Sequence, residues 1–230
     1  MRIKLLTSIL PAIAALILGG CGASKQAREV EVKNTMLFKP EILQRGSSGQ
    51  ALYRYVNPRF DIKRYSAVLV EPVLIAKDGE LSVQEKENYQ KLADNAYLYL
   101  TEALQKEIRV VKGPEKDTMV LQMAIRDIDT SSRVRSITST ILPIGLAINA
   151  AKYAATGKPS AVGEITAEFR LTDADTGELL IAALDRRVGG ASLQGAWDTW
   201  HGADEAMKFW ARRAAYLLCQ NRRGTGCVAP

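Results

Sequence analysis

Few side chains in this sequence could do chemistry, and the three cysteines are the most informative of them. Cys21 ends an apolar run near the start of the chain, whereas Cys219 and Cys227 lie near its other end. Between these two, Gly224 and Gly226 let the backbone fold back, because glycine adopts positive φ angles without steric cost. With Cys21 set aside, the even pair predicts a disulfide formed in an oxidising compartment. A buried free Cys219 and a redox pair are the alternatives, and the long spacing disfavours the redox pair.

Enzyme chemistry has little support in the residue types. His201 is the only histidine, and it follows Trp200 at the predicted start of a helix, where the helix dipole disfavours its charged form. No serine lies in a nucleophile elbow, and no cysteine–histidine cluster has the spacing of a zinc site. Asp173, Asp175 and Glu178 could contact calcium, but a tight hairpin turn explains the same residues and the calcium-loop pattern is absent. We therefore predict no catalytic residue, no metal site and no cofactor.

The first residues of the chain have the layout of an export signal. Basic residues precede a strongly apolar stretch from Leu5 to Leu18, which is shorter than the ~20 residues that a membrane-spanning helix needs. Leu18-Gly19-Gly20-Cys21 resembles the lipobox of bacterial lipoproteins, in which the cysteine is acylated and the chain is cut just before it. This resemblance implies that acyl chains such as palmitate on Cys21 hold the mature protein on a membrane. A short uncleaved anchor is the alternative.

The residue after Cys21 and the net charge indicate a compartment and partners. By resemblance to the sorting rule of Gram-negative bacteria, the non-acidic Gly22 favours the outer membrane. Loss of Arg2 and Lys4 with the signal lowers the formal net charge from +6 to +4. The basic pairs that remain have no aromatic interleaving, so we expect solvated faces, with attraction to anionic headgroups as the alternative. We predict a lipid-anchored, periplasm-facing protein of the cell envelope whose partners are the membrane and an envelope protein, with no nucleic acid.

The elements that must position these residues alternate between strands and helices. One helix is predicted from a capping box at Ser82 and Glu85 to about residue 104, and another from about Thr199 to Cys219. Strands are predicted at 66–75, 108–112, 118–129, 162–171 and 179–188. Alternation of apolar and polar residues makes the strand at 118–129 half-exposed, and 162–171 alternates in the same way. A turn at 173–178 joins the last two strands into a hairpin.

This order of elements predicts the fold class. The order β-α-β-β, an insertion, then β-β-α predicts an α+β two-layer sandwich, with a mainly antiparallel sheet of about five strands and two main helices on one face. We expect a signal peptide at 1–20, a flexible tether at 21–50 and a single domain at 51–230.

The insertion at 137–155 is the unusual segment of this domain. It is apolar, but it is too short and too interrupted by proline, glycine and polar residues for an independent membrane span. A small element that covers the core is the simplest interpretation, and a contact surface for another protein is the main alternative. The candidate partner surface combines apolar residues of the insertion with an aromatic patch near the last helix: Ile141, Leu142, Ile144, Leu146, Trp197, Trp200 and His201.

Three longer blocks of the sequence point to a family. They are YVNPRFDIKRYSAVLVEPV from Tyr55, EITAEFRLTDADTGELLIAALDRRVGG from Glu164, and WDTWHGADEAMKFWARR from Trp197. Together, over about residues 50–218, they resemble the bacterial lipoproteins grouped as the domain of unknown function catalogued as number thirty-three thirteen. The resemblance implies an envelope lipoprotein and carries over no catalytic residue. We predict a non-enzymatic binding or assembly module; the alternatives are a carrier of a lipid or other small amphiphile and, third, a cell-envelope hydrolase.

Overall fold

A computed structural model describes residues 25–26, 32, 34–76, 81–126, 164–188 and 199–230. Nine strands within these ranges form one sheet. They are β1 (Lys25–Gln26), β2 (Gln44–Arg45), β3 (Tyr53–Val56), β4 (Ala67–Val70), β5 (Leu74–Ala76), β6 (Arg109–Val111), β7 (Thr118–Arg126), β8 (Glu164–Asp173) and β9 (Leu179–Val188). Two α-helices of the described part, α1 (Val83–Leu104) and α2 (Thr199–Arg222), pack against each other and against the sheet.

The sheet is mixed, with both antiparallel and parallel strand pairs. Its order is β2-β3-β9-β8-β7-β4-β6, with β1 also paired to β9 and β5 also paired to β7. β4 runs parallel to β6 and β7, and β5 runs parallel to β7. The prediction of an α+β fold with two helices is confirmed, whereas the expected mainly antiparallel sheet of about five strands is not matched exactly: the sheet has more strands and includes parallel pairs. β6 runs parallel to β4 because α1 forms the crossover between β5 and β6, and such a crossover returns the chain in the same direction.

Local signals account for α1 and for the long hairpin. Ser82 caps α1 by accepting a hydrogen bond from Glu85 N, and the Glu85 carboxylate accepts one from Ser82 N. A cap of this kind stabilises a helix by about 1 kcal/mol. α1 buries one stripe of residues at steps of three and four, as expected: Tyr89, Leu92, Ala93, Ala96, Leu100 and Leu104. β8 and β9 pair antiparallel over their whole length, so the predicted hairpin is confirmed.

The two faces of the sheet differ in chemistry, but both are buried at the centre. The face that carries the helices contributes apolar side chains to the core, among them Met123 and Ile125 of β7. On the other face, alternation predicts exposed polar residues along β8, but Thr166 and Glu168 have no exposed surface. Part of the chain from the N-terminal side of the domain covers Glu168, because Met36 and Leu37 donate backbone hydrogen bonds to its carboxylate.

The described residues between 25 and 50, here called the N-terminal segment, are attached to the sheet. β1 pairs with the carboxyl end of β9, and β2 pairs with β3. Between these strands, residues 34–38 include the two backbone donors to Glu168. The sequence predicts a flexible tether over 21–50, and the residues of that range that the structure describes contact the domain. The apolar residues Met36, Leu37 and Phe38, partly shielded here, give this part of the segment a reason to pack.

Candidate functional site

Glu168 forms a buried charge centre on the sheet face opposite the helices. Its Oε2 accepts hydrogen bonds from Met36 N at 2.7 Å and Leu37 N at 3.0 Å. Its Oε1 accepts one from Arg126 Nη1 at 2.9 Å, and Arg126 also donates to the carbonyl oxygen of Asn34. Glu168 is fully buried and the Arg126 side chain is 20% exposed, so the pair lies largely out of water. One carboxylate therefore ties β7, β8 and the N-terminal segment together.

Asp185 also joins separate segments of the chain, on the helix side of the sheet, and its hydrogen-bond donors are neutral. It is 4% exposed. Its Oδ1 accepts hydrogen bonds from Gln26 Nε2 at 2.6 Å and Leu52 N at 3.2 Å, and its Oδ2 accepts one from Trp210 Nε1 at 2.7 Å. The Trp210 ring also meets Phe169 of β8 edge-on, with centroids 5.8 Å apart. One side chain therefore connects β1, the start of β3 and α2.

Arg187 extends this contact between β9 and α2. It is buried, and its Cζ lies 3.4 Å from the centroid of the Phe209 ring, in the range of a cation–π interaction. Burial lowers the pKa of Arg187, and the Asp185 carboxylate opposes that shift. The guanidinium stays charged at neutral pH, because the ordinary pKa of arginine lies far above 7. Arg187 pairs with Gln26 in the β1–β9 ladder, so the backbone of this residue lies directly beside the first described strand.

A polar cluster joins α1 to α2. Asp204 Oδ1 accepts hydrogen bonds from Tyr99 Oη at 3.0 Å and Asn95 Nδ2 at 3.2 Å, and Lys208 Nζ lies 2.9 Å from Asp204 Oδ2. Burial raises the pKa of Tyr99 to about 12, and the negative charge of Asp204 adds to the shift. The phenol is therefore neutral at physiological pH and acts as a donor that fixes the two helices to each other.

The acidic residues that suggested calcium form the hairpin turn instead. Asp173 Oδ1 accepts hydrogen bonds from the backbone N–H groups of Asp175 and Thr176, both at 2.9 Å, and Oδ2 accepts one from Tyr65 Oη at 2.8 Å. The donor at Thr176 is the main reason why the pKa of Asp173 lies below its ordinary value. The Glu178 carboxylate accepts a hydrogen bond from Asn57 Nδ2. Within the described ranges, no group of three or more acidic, histidine or cysteine side chains could hold a metal ion.

The C-terminal end of α2 carries the disulfide that cysteine counting predicts. Cys219 is bonded to Cys227, with their Cα atoms 5.7 Å apart. Gly224 and Gly226 between them have φ angles of +77° and +71°, the left-handed values that the return of the chain requires. Arg222 Nη1 donates to the carbonyl oxygen of Tyr65 at 2.7 Å and fixes this end of the helix to the segment before β4.

The predicted partner surface is only partly within the described residues. Trp200 and His201 lie in the first turn of α2. The other residues of that surface lie outside the described ranges: Ile141, Leu142, Ile144, Leu146 and Trp197. Cys21, the predicted lipidation site, also lies outside them. The roles assigned to these residues therefore remain predictions. Neither α1 nor α2 is apolar enough to cross a membrane, and no other helix in the described part of the chain meets that requirement.

Sequence reasoning missed both buried carboxylates. Glu168 occupies a polar position of an alternating strand, which is typical of a solvent-facing residue. Two signals pointed towards Asp185: it ends the apolar run LLIAAL of β9, and the buried Trp210 needs an acceptor for its N–H group. Neither signal identifies the partner, because Asp185 and Trp210 are joined only by the fold.

The fold and these contacts define a class of protein: an α+β domain whose mixed sheet carries two helices and is fastened to its own N-terminal segment by buried carboxylates. A family model described as "Protein of unknown function (DUF3313)" matches residues 33–214. The chain belongs to this family, which confirms the resemblance seen in the three sequence blocks. No match was found among curated proteins.

Two solved structures of PelC from Paraburkholderia phytofirmans, both dodecamers, are similar to the chain. A point variant is 17% identical, with 74% of this chain and 96% of the PelC chain covered and a TM-score of 0.35. The second structure is 15% identical, with coverages of 67% and 89% and a TM-score of 0.33. At this level the likeness is distant, and no function is taken from it.

Proposed function

We propose that this protein is a lipid-anchored lipoprotein of the Gram-negative cell envelope, facing the periplasm at the outer membrane, and that it works as a non-enzymatic binding or assembly module. The cysteine assignment carries the proposal. The chain has three cysteines, and the bond between Cys219 and Cys227 accounts for two of them. Structural disulfides belong to oxidising compartments such as the periplasm. The remaining cysteine, Cys21, directly follows the apolar stretch and the small residues that resemble a lipobox.

The physical chemistry of acylation supports stable anchoring at this residue. Each buried CH₂ of an acyl chain contributes about 0.8 kcal/mol, and one chain alone gives only marginal, reversible binding. Several chains on one cysteine, as the lipobox resemblance implies, would hold the domain firmly without a spanning helix.

The role as a module is supported by what the described carboxylates do. Glu168, Asp185, Asp173 and Asp204 each accept hydrogen bonds from donors on other segments of the chain. A general acid or base must instead reach a proton on its substrate. These groups are directed at the protein's own backbone and side chains, which favours a scaffold that presents surfaces over one that performs acid–base chemistry.

Lipid anchoring is tested by the mass of the amino-terminal peptide. The full chain is expressed in a Gram-negative host, and we expect a mature protein that begins at an acylated Cys21. Cys21→Ser should block both the acylation and the cut after Gly20. Cys227→Ser is the matched control: it breaks the disulfide and should leave the amino-terminal mass unchanged. A mature chain that keeps residues 1–20, or that carries an unmodified Cys21, would contradict the proposal.

The module role is tested by crosslinking in intact cells. We expect one specific envelope protein to be trapped, and we expect deletion of residues 140–152 to abolish the trap while the thermal unfolding of the domain is unchanged. Lipid that co-purifies with the delipidated domain in native mass spectrometry would instead favour a carrier. Loss of an envelope phenotype in a His201→Ala variant of normal stability would favour an enzyme.

A further inference from the structure

The first described strand begins very close to the proposed lipid anchor. β1 starts at Lys25, four residues after Cys21. A chain extends by at most about 3.6 Å per residue, so these residues span no more than about 14 Å. A flexible tether that ran to residue 50 would have a mean reach of about 30 Å. The position of β1 therefore shortens the connection between the anchor and the folded domain by about half.

β1 is fixed to the interior of the domain and not only to an edge. Gln26 pairs with Arg187 in the ladder, and its side chain donates to the carbonyl oxygen of Gln50 at 2.8 Å as well as to Asp185 at 2.6 Å. Asp185 is in turn bonded to Trp210 of α2. A pull on residue 25 is therefore resisted by a buried side chain that is shared with a helix.

The strand register shows which end of the sheet carries this attachment. Lys25 pairs with Val188, Val188 pairs with Glu164, and Arg126 pairs with Thr166. The carboxyl ends of β7 and β9 and the amino end of β8 therefore lie together with β1. We call this the anchor end. The 173–178 turn and the disulfide lie at the opposite end, about 33 Å away for a ten-residue strand such as β9.

We propose that the domain rests with its anchor end against the lipid headgroups and holds the opposite end away from the membrane. The inference rests on the proposed acylation of Cys21. The connection between Cys21 and Lys25 reaches no more than about 14 Å, which is less than half the length of the sheet. Such a short connection favours contact between the membrane and the anchor end, from which the connection leaves. The chain that includes the insertion at 137–155 leaves the sheet after Arg126 and returns at Glu164, so both of these points belong to the membrane-facing end.

Two exposed lysines on opposite ends give a matched pair of probes. Lys86 lies in the first turn of α1, and Lys116 lies in the turn before β7, at the opposite end. α1 spans about 33 Å and ends next to β6. The first residue of β6 pairs with the first residue of β4, so the C-terminal end of α1 lies at the end of the sheet opposite the anchor end. The N-terminal end of α1 therefore lies at the anchor end.

The experiment measures energy transfer to a headgroup-labelled lipid. Lys86→Cys and Lys116→Cys are each labelled with a maleimide dye in the full acylated protein, bound to vesicles of phosphatidylethanolamine and phosphatidylglycerol. We expect transfer from position 86 to exceed that from position 116 by about twofold or more, because the roughly 27 Å of helix from residue 86 to residue 104 leads from the anchor end to the opposite end. A glycine–serine linker of about 30 residues inserted between Ser24 and Lys25 should remove the difference.

A second variant tests the attachment of β1 itself. Gln26→Ala removes the bonds to Asp185 and Gln50, so transfer from position 86 should fall towards the value seen with the inserted linker. Gln90→Ala is the control, since Gln90 donates only within α1, to Asp94. Thermal unfolding checks that both variants are folded.

The outcomes separate orientation from anchoring. Equal transfer from the two positions in vesicle-bound protein, or stronger transfer from position 116, would overturn the orientation and leave the anchor intact. A difference found in cell envelopes but not in protein-free vesicles would also overturn it, because a partner protein and not lipid would then hold the anchor end. Failure of the wild-type protein to remain on vesicles would overturn both proposals.

Discussion

Glu168 and Asp185 perform the same task on opposite faces of one sheet, with different chemistry. Glu168 is compensated by the charge of Arg126 and by two backbone N–H groups, whereas Asp185 accepts hydrogen bonds from an amide side chain, a backbone N–H and an indole. Both carboxylates fasten the N-terminal segment to the sheet. The comparison shows that neutral donors can occupy both oxygens of a buried carboxylate, while a neighbouring charge, here that of Arg187, adds to its compensation.

The largest loss of stability is expected from removing Glu168, the carboxylate that is paired with a charged side chain. Glu168→Ala leaves Arg126 without its carboxylate and leaves the N–H groups of Met36 and Leu37 without an acceptor. Breaking a buried ion pair in this way costs about 3–5 kcal/mol of the free energy of unfolding. Denaturant unfolding measures the loss, and hydrogen exchange should show residues 36 and 37 losing protection. Glu115→Ala, which breaks an exposed pair with Arg109, is the control and should change stability little.

A smaller loss of stability is expected when the Asp185 side chain keeps its shape but loses its charge. In Asp185→Asn the amide offers only one acceptor oxygen to Gln26, Leu52 and Trp210, so one buried donor loses its partner. The expected loss is about 1–3 kcal/mol. The emission of Trp210 should shift, since its N–H environment changes. Asp175→Asn, in the exposed turn, serves as the control; an equal loss in both variants would show that the neutral donors at Asp185 contribute nothing.

The attachment of β1 should contribute less than either carboxylate. Gln26→Ala removes two hydrogen bonds from a side chain on the surface, so we expect a loss of about 0.5–1.5 kcal/mol. Combined with Asp185→Asn, its effect should be less than additive, because the two side chains share one bond. Strict additivity in a double-mutant cycle would contradict a direct link between them.

A further loss of stability is expected at alkaline pH, and it does not involve the two carboxylates. Burial raises the pKa of Tyr65 and of Tyr99 to about 12, against about 10 in the unfolded chain. Between these values the unfolded chain binds fewer protons than the folded one, so the free energy of unfolding falls as pH rises from about 10 to about 12. The midpoint of thermal unfolding at pH 8, 10 and 11 measures this. A Tyr65→Phe, Tyr99→Phe variant should lose part of the slope, and an unchanged slope would contradict the assignment.

What the sequence could predict depends on how local each signal is. The capping box at Ser82, the stripe of α1 and the turn at 173–178 are encoded within a few neighbouring residues, and each of them agrees with the structure. The Cys219–Cys227 bond could be predicted because counting left two cysteines to pair. β1, β2 and β5 have two or three residues each, which is too short for a recognisable alternation.

The burial of Glu168 could not be predicted for a different reason. Its neighbours in the sequence alternate between apolar and polar residues, which predicts a strand with one solvent-exposed face. The residues that cover it, Met36 and Leu37, lie more than a hundred positions earlier in the chain. Only the path of the N-terminal segment decides whether that face meets water or protein.

That path also has a mechanical meaning. A force applied at the amino terminus reaches Gln26 and its bond to Asp185 first, and reaches the bonds between residues 36–37 and Glu168 only after β1 has detached. The two carboxylates are therefore loaded one after the other, on opposite faces of the sheet. The domain would yield to such a pull in two steps, the weaker one first, and the second step would protect the core when the first has failed.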